Sequence, residues 1–264
     1  MIIGLLAIGL GGLVGMFSAI LGIGGGLVMV PLLPTVFTLN SHEAVATSLF
    51  TILLVVANNS IGFARKNLIV WPVALLIGPL TAVGSFTSGI LAQSLSHFYL
   101  RFILALLISS VLVKSLFGYF GKNKRDPISN APMSSFKKTG ISSFVGIFAG
   151  VLSGLSGIGS GAVVSPLLAH LGLVENKMVS PTANAVMLFT TAFGAGAFMT
   201  SAKAIQNWKI GYIHVDLALL MAIGAFLTSI WARQIQEHIY ARWRSGLLII
   251  LLTFLAMKMW AEFL

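Results

Sequence analysis

Two short segments carry the residue types best suited to chemistry. Residues 22–33 read GIGGGLVMVPLL and residues 157–168 read GIGSGAVVSPLL; eight of the twelve positions are identical at an offset of 135. The first places Gly22, Gly24, Gly25 and Gly26 inside an apolar run, and the second places Gly157, Gly159, Ser160 and Gly161 there. Glycine takes backbone angles closed to other residues and lets a ligand approach the main chain. A helix restarting at Gly26 or Gly161 presents first-turn N–H groups that have no partner inside the helix. Those groups and the helix dipole favour an anion. Two copies facing each other would form the two walls of one anion-binding site. Helix packing is the competing reading, because Gly22 and Gly26, Gly157 and Gly161, Gly11 and Gly15, and Gly146 and Gly150 all have GxxxG spacing.

Neutral polar side chains follow each phrase. Thr47 and Ser48, then Asn58 and Asn59, follow the first, and Thr182 and Asn184 follow the second. Hydroxyls and carboxamides donate to an oxyanion without the desolvation cost of a buried charge, so these six join the expected substrate-binding set. The alternative for each is an interhelical hydrogen bond. His214 and Asp216 are the possible proton-coupling pair: histidine titrates near neutral pH, and an acid at membrane depth reads as a proton relay. Arg101 and Arg242 fall in a matched H-x-Y-x-R pair at 97–101 and 238–242, read chiefly as interfacial anchors.

A nucleophile pattern is also present. Gly154-Leu155-Ser156-Gly157 is a GxSG like that of rhomboid intramembrane serine proteases, and His170 follows. A Ser–His pair supplies nucleophile and base. But His170 lies only 14 residues on in the same broken run, and the position matching Ser156 in the first phrase is Leu21. Gly22-x-Gly24 lacks the third glycine and downstream acid of a dinucleotide loop.

The elements that must position these residues are membrane helices. Hydrophobic residues make up 57% of the 264 and charged residues 8%, against roughly 25% charged in soluble domains. There is no cysteine, which excludes disulfides, thiolate metal sites and Fe–S clusters; no cofactor or metal is expected. The net charge of +10 is dispersed between apolar runs, the pattern of positive-inside topology rather than of a nucleic-acid face. Apolar runs cover 4–39, 44–63, 69–92 and 99–120, and then 141–174, 178–200, 211–232 and 246–260. The N-terminal run has no basic residue before it and is expected to be a retained first span. Between the two sets lies the polar linker KNKRDPISNAPMSSFKK, residues 122–138, with five basic residues.

The expected organisation is an all-α polytopic membrane protein with two homologous halves, 1–121 and 139–264, joined by a cytoplasmic linker at 122–138. Each half has about four hydrophobic segments, the first broken at its glycine turn. As one helix the 36-residue run 4–39 would be about 54 Å long, too long for the hydrocarbon even when tilted. If the broken runs cross the membrane, the halves are parallel and 11 of 16 basic residues fall inside; if they return, the halves are inverted and 12 of 16 do. The charge count leaves both open, and the length argument favours inversion. Internal duplication with a site between the halves is the plan of secondary transporters.

GLVGMFSAILGIGGGLVMVPLL and GIFAGVLSGLSGIGSGAVVSPLL resemble the two signature segments of the sulfite exporter TauE/SafE family, as do the AT-S and PT-N stretches after them and Asn67-x-Ile69-x-Trp71. Nearly the whole chain outside the linker takes part. The resemblance implies a bacterial-type inner-membrane permease for small sulfur-containing anions such as sulfite, thiosulfate or organosulfonates. One departure is Ser160 where the first phrase has Gly25. The expected function is therefore alternating-access transport of a small anion, with the bilayer as solvent and protons as a possible coupling ion. A non-transporting membrane scaffold is the alternative, and the intramembrane protease a remote one. A cation carrier would place acids at depth, and only Asp216 qualifies.

Overall fold

In the computed structural model, residues 2–21, 25–120, 135–200, 208–238, 241–261 and 263 are described, so Gly22, Gly24 and most of the linker lie outside the described residues. The chain is helical apart from one short hairpin. Its elements are α1 (Ile2–Leu21), α2 (Gly26–Phe37), α3 (Ser41–Arg65), α4 (Trp71–Ser94), α5 (His97–Phe120), α6 (Ser135–Ser156), α7 (Gly161–His170), α8 (Asn176–Met199), β1 (Lys209–Ile210), β2 (Ile213–His214), α9 (Val215–His238) and α10 (Ala241–Ala261). Among the described residues α3, α4, α5 and α8 each hold a stretch long and apolar enough to cross a membrane. Large apolar side chains such as Val83, Phe117, Phe144, Leu227, Ile250 and Phe254 are exposed on the bundle's outside. Water would not tolerate such a surface on a monomer; lipid does.

The ends are set by local chemistry. Asn40 caps α3 reciprocally: its side chain accepts from the Glu43 N–H at 3.0 Å, and the Glu43 carboxylate accepts from the Asn40 N–H at 3.1 Å. Trp71-Pro72 opens α4, where proline's missing N–H costs nothing. Residues 209–214, which overlap the start of the apolar run read from the sequence at 211–232, instead form the β1–β2 hairpin. Its turn needs Gly211 at φ +59°, with no room for a Cβ beside the Phe198 carbonyl.

Neighbour contacts give each helix a direction. In α4 and α6, Thr81 meets Gly150 and Ser85 meets Gly154, so the two run parallel; in α1 and α9, Gly11 meets Met221 and Gly15 meets Ala225, so they do too. Each pair packs backbone to backbone at glycines where a Cβ would overlap the partner's main chain. Gly11, Gly15 and Gly150 thus serve close helix packing, and Gly146 sits against the Ile77 side chain. The hairpin sits where α8 ends and α3 begins, with the Tyr212 N–H reaching the Phe198 carbonyl and Lys209 the Glu43 carboxylate. Hence α9 and its parallel partner α1 start at this hairpin end. Yet α3, separated from α2 by three residues, also starts there. The chain has turned back at the glycines.

The same holds for the second broken run. The Val70 N–H donates to Thr182 Oγ1, placing the start of α8 beside the start of α4, at the end opposite the hairpin. Helix α6, parallel to α4, sets out from that end, and α7 must return to it. Each broken run therefore goes back to its starting end, and the following three helices, α3–α5 and α8–α10, run in opposite directions. Of the two topologies left open by charge, the packing selects the inverted one.

Candidate functional site

The start of α2 meets the second glycine turn. A Cβ on Gly26, the first residue of α2, would overlap the carbonyl of Ile158 in the second turn. The second turn depends on left-handed backbone at Gly157 (φ +72°) and Gly159 (φ +86°), a region that costs other residues about 1–2 kcal/mol. Gly157 rests on Val45 and Val30, and its carbonyl accepts from Ser48 Oγ at 2.9 Å. Gly159 faces Met187 and Ile52.

Next to this junction is a narrow cavity of about 10 Å³, lined by Val14 and Gly15 of α1, Gly25 and Met29, Ile52, Val55, Val56 and Asn59 of α3, Asn184 and Met187 of α8, and Ala225 of α9. Both series of helices contribute, and none of these side chains is charged. Among the described residues no hydrogen bond ends on the Asn59 carboxamide, while Asn184 Nδ2 donates to Ser180 O at 2.9 Å and keeps its remaining N–H and its oxygen. Val28 and Met29 return their N–H groups to Gly25 O, and Val163 and Val164 to Ser160 O. The preceding N–H groups, of Gly26 and Leu27 in α2 and of Gly161 and Ala162 in α7, have no hydrogen-bond partner among the described residues. N–H groups in the first turn of a helix have no acceptor within their own helix.

Of the expected site residues, Gly25, Asn59 and Asn184 line the cavity, and Gly26, Ser48, Gly157 and Gly159 build the junction beside it. Gly161 starts α7. Ser160 is buried; with the Thr81 proton on Gly78 O and the Thr190 proton on Thr81 Oγ1, the Ser160 hydroxyl donates to Thr190, so the chain leads into the α4–α8 interface. Asn58 is exposed and outside the cavity lining. Gly22 and Gly24 are outside the described residues.

Thr47 and Thr182 are engaged elsewhere. Thr47 Oγ1 accepts from the His214 N–H at 3.2 Å and Thr182 Oγ1 accepts from the Val70 N–H at 3.1 Å. Each fixes the entry to a helix of the other series, α9 or α4. Thr47→Val or Thr182→Val leaves a backbone N–H without its acceptor. Each is expected to cost about 1–3 kcal/mol without altering anion selectivity, read as a lowered melting temperature of the solubilised protein with an unchanged rank order of ligands.

Asp216 is exposed at the start of α9, whereas the His214 ring packs inward towards Glu43. Glu43 and Lys209 were not singled out in the sequence, although the N-x-x-E spacing of Asn40 and Glu43 was a legible capping signal. Ser156 is buried and gives its proton to the Leu152 carbonyl at 2.6 Å, so its hydroxyl is turned into its own helix.

A bundle with a lipid-facing apolar exterior and a cavity shared by two opposed helix series fits the plan of a polytopic membrane transporter. The profile of the sulfite exporter TauE/SafE family matches residues 7–259, and the chain belongs to that family. A probable membrane transporter protein of Methanocaldococcus jannaschii is 28% identical over 245 residues, covering 87% of this chain and 85% of that one. A probable membrane transporter protein of Haemophilus influenzae is 25% identical over 232 residues, covering 84% and 82%. The Arabidopsis thaliana protein named sulfite exporter TauE/SafE family protein 1 is 26% identical over 158 residues, covering 56% of this chain and 33% of that one. No solved structure matches the chain.

Proposed function

We propose that the protein is a secondary transporter of small anions, with sulfur oxyanions and organosulfonates as the leading substrates, and that it binds them in the cavity beside the two glycine turns. One observation carries the reading: an uncharged cavity, reached by two carboxamides and by the start of α2, at the meeting point of two broken helices. Asn59, Asn184 and the first N–H groups of α2 would surround an oxyanion with neutral donors. The dipole of α2 adds favourable potential without a buried cation. The family supports a sulfur anion, because its name and that of the plant relative refer to sulfite.

The halves act as two inverted repeats rocking about this cavity. Arg65 and Lys66 end α3 and Lys114 lies late in α5, at the end opposite the hairpin, whereas Arg101, Lys209 and Lys258 lie at the hairpin end. With the basic linker joining α5 to α6 at the opposite end, the positive-inside rule makes that end cytoplasmic. The cavity lies on its side of the glycine junction, since α3 contributes Ile52 to Asn59 and not its first turns. This conformation is then open inward and sealed outward by Gly157, Ser48, Val45 and Val30.

The test is ligand-dependent stability. A bound anion at 100 times its Kd adds about 2.7 kcal/mol. Sulfite, thiosulfate or a taurine-like sulfonate should raise the melting temperature of purified protein by several degrees, and chloride should not. Equal shifts for every anion at equal ionic strength would count against a selective site.

A further inference from the structure

On the hairpin end of α3, three charge-bearing groups from two opposed helix series come together. The Glu43 carboxylate, already capping α3 through the Asn40 N–H, pairs with Lys209 Nζ of β1, and His214 Nε2 of β2 lies 3.7 Å from Glu43 Oε1. His214 Nε2 is buried and has no hydrogen-bond partner among the described residues. The ring is held in place by its own backbone, whose N–H donates to Thr47 Oγ1 one turn along α3 from Glu43. A buried imidazole nitrogen therefore lies a few tenths of an ångström beyond hydrogen-bond reach of a carboxylate.

We propose that this cluster is the proton-binding site of the transport cycle: His214 Nε2 takes a proton from the outer solution and donates it in a new hydrogen bond to Glu43, tightening the hairpin onto α3. The assignment rests on the transport reading above. Its chemistry is balanced by charge. With neutral His214 the pair Glu43–Lys209 carries no net charge; the added proton makes the cluster +1, which offsets one negative charge on a carried anion.

Other titratable groups nearby do not compete for this role. His42 turns the other way, with Nε2 against the carbonyls of Ala92 and Leu95 and its ring against His97 and Tyr212. On α5, Arg101 is engaged with Ser41 Oγ. Asp216, on α9, is exposed and has no ion pair among the described residues.

The route to the cavity is mechanical and short. Thr47 holds the hairpin, the next residue Ser48 holds the Gly157 carbonyl, and Ile52, about 6 Å further along the helix, begins the cavity lining. On the other side of the hairpin, α9 carries Ala225 into the same lining. A hairpin drawn onto α3 therefore acts on the outer seal and on two cavity walls at once.

The experiment uses the full chain in proteoliposomes, with [³⁵S]thiosulfate counterflow as the anion readout and a trapped pH dye as the proton readout, from pH 5.5 to 8. Wild-type counterflow should change with pH on the order of 5- to 150-fold, the usual range of coupling between two sites. His214→Gln should keep counterflow at a rate independent of pH and move no protons, while D216N should behave as wild type. Two further variants separate charge coupling from a structural role. Glu43→Gln removes the negative neighbour and should move the pH step down; Lys209→Gln removes the positive one and should move it up. The same opposed shifts should appear in the pH dependence of melting temperature without any anion, which serves if flux is too low in a variant. A wild-type pH profile in H214Q, or shifts of one sign in both charge variants, would overturn the assignment alone. No counterflow of thiosulfate or the other sulfur anions in the wild type at any pH would overturn the transport reading and the assignment with it.

Discussion

Gly159→Val is expected to abolish transport while leaving the protein in the membrane. Two costs fall on one residue. At φ +86° a β-branched side chain is a backbone outlier, and the added atoms meet the Met187 methyl at the cavity wall, where a Cβ alone would stand 2.9 Å away. Met187 is flexible enough to move, but it moves into the cavity. The strain is local, about 1–3 kcal/mol, a fraction of the stability of a domain, so the folded protein persists. The occupied cavity does not. Gly159→Ala, with strain and a smaller intrusion, should retain partial activity. Gly11→Leu is the contrasting case: it wedges α1 from α9 away from the junction and should lower expression and melting temperature rather than selectivity. The measurement is anion flux per folded molecule, with folded protein counted by size-exclusion profile. Full flux in G159V would move the site away from the second turn.

Removing the carboxamides should have the second largest effect. Asn59→Leu and Asn184→Leu keep approximate volume and delete donors to a bound anion. A hydrogen bond to a charged group contributes about 1.5–3 kcal/mol, so each should raise KM or Kd about 10- to 150-fold. The two are expected to differ: Asn184 is braced on Ser180 O, and its loss also frees that carbonyl, whereas Asn59 has no hydrogen bond among the described residues and should act on binding alone. Asn58→Leu, on the exposed neighbour, should change nothing. The binding constants of the three variants, measured calorimetrically on one anion, check the ranking. An Asn58 effect larger than that of Asn59 would reverse the face of α3 assigned to substrate.

Much of this was readable from residue order, for identifiable reasons. Apolar runs of membrane length report helices directly, because the bilayer fixes how many residues a span needs. The breaks were legible because closely spaced glycines weaken a helix; the prolines of the same phrases, Pro31 and Pro166, lie inside α2 and α7 instead. The turning back of each broken run was not fixed by charge, since both topologies leave most lysines and arginines on one side; it needed the contacts of Gly11, Gly15, Gly150 and Gly154 with their partner helices. The polar residues show the limit most clearly. Thr47, Ser48, Thr182 and Asn184 share a type and a depth, and nothing in the sequence says which keeps a donor free. The fold engages Thr47 and Thr182 with backbone N–H groups of the opposed series, gives Ser48 to Gly157, and leaves the carboxamide of Asn184 on the cavity. Glu43 caps α3, and the N-x-x-E spacing that signals it is local. Its second partnership, with a hairpin some 170 residues away, has no local signature.

The most direct test of the central claim is isotope counterflow in proteoliposomes containing wild-type protein preloaded with unlabelled thiosulfate, challenged in turn by external sulfite, sulfate, a taurine-like sulfonate, acetate and chloride. Alternating access at one anion site predicts that labelled thiosulfate accumulates transiently, that one or more sulfur anions compete for it, and that acetate and chloride do not. No accumulation with any preloaded anion, in vesicles shown to be sealed and to contain folded protein, would contradict it and return the glycine turns to helix packing.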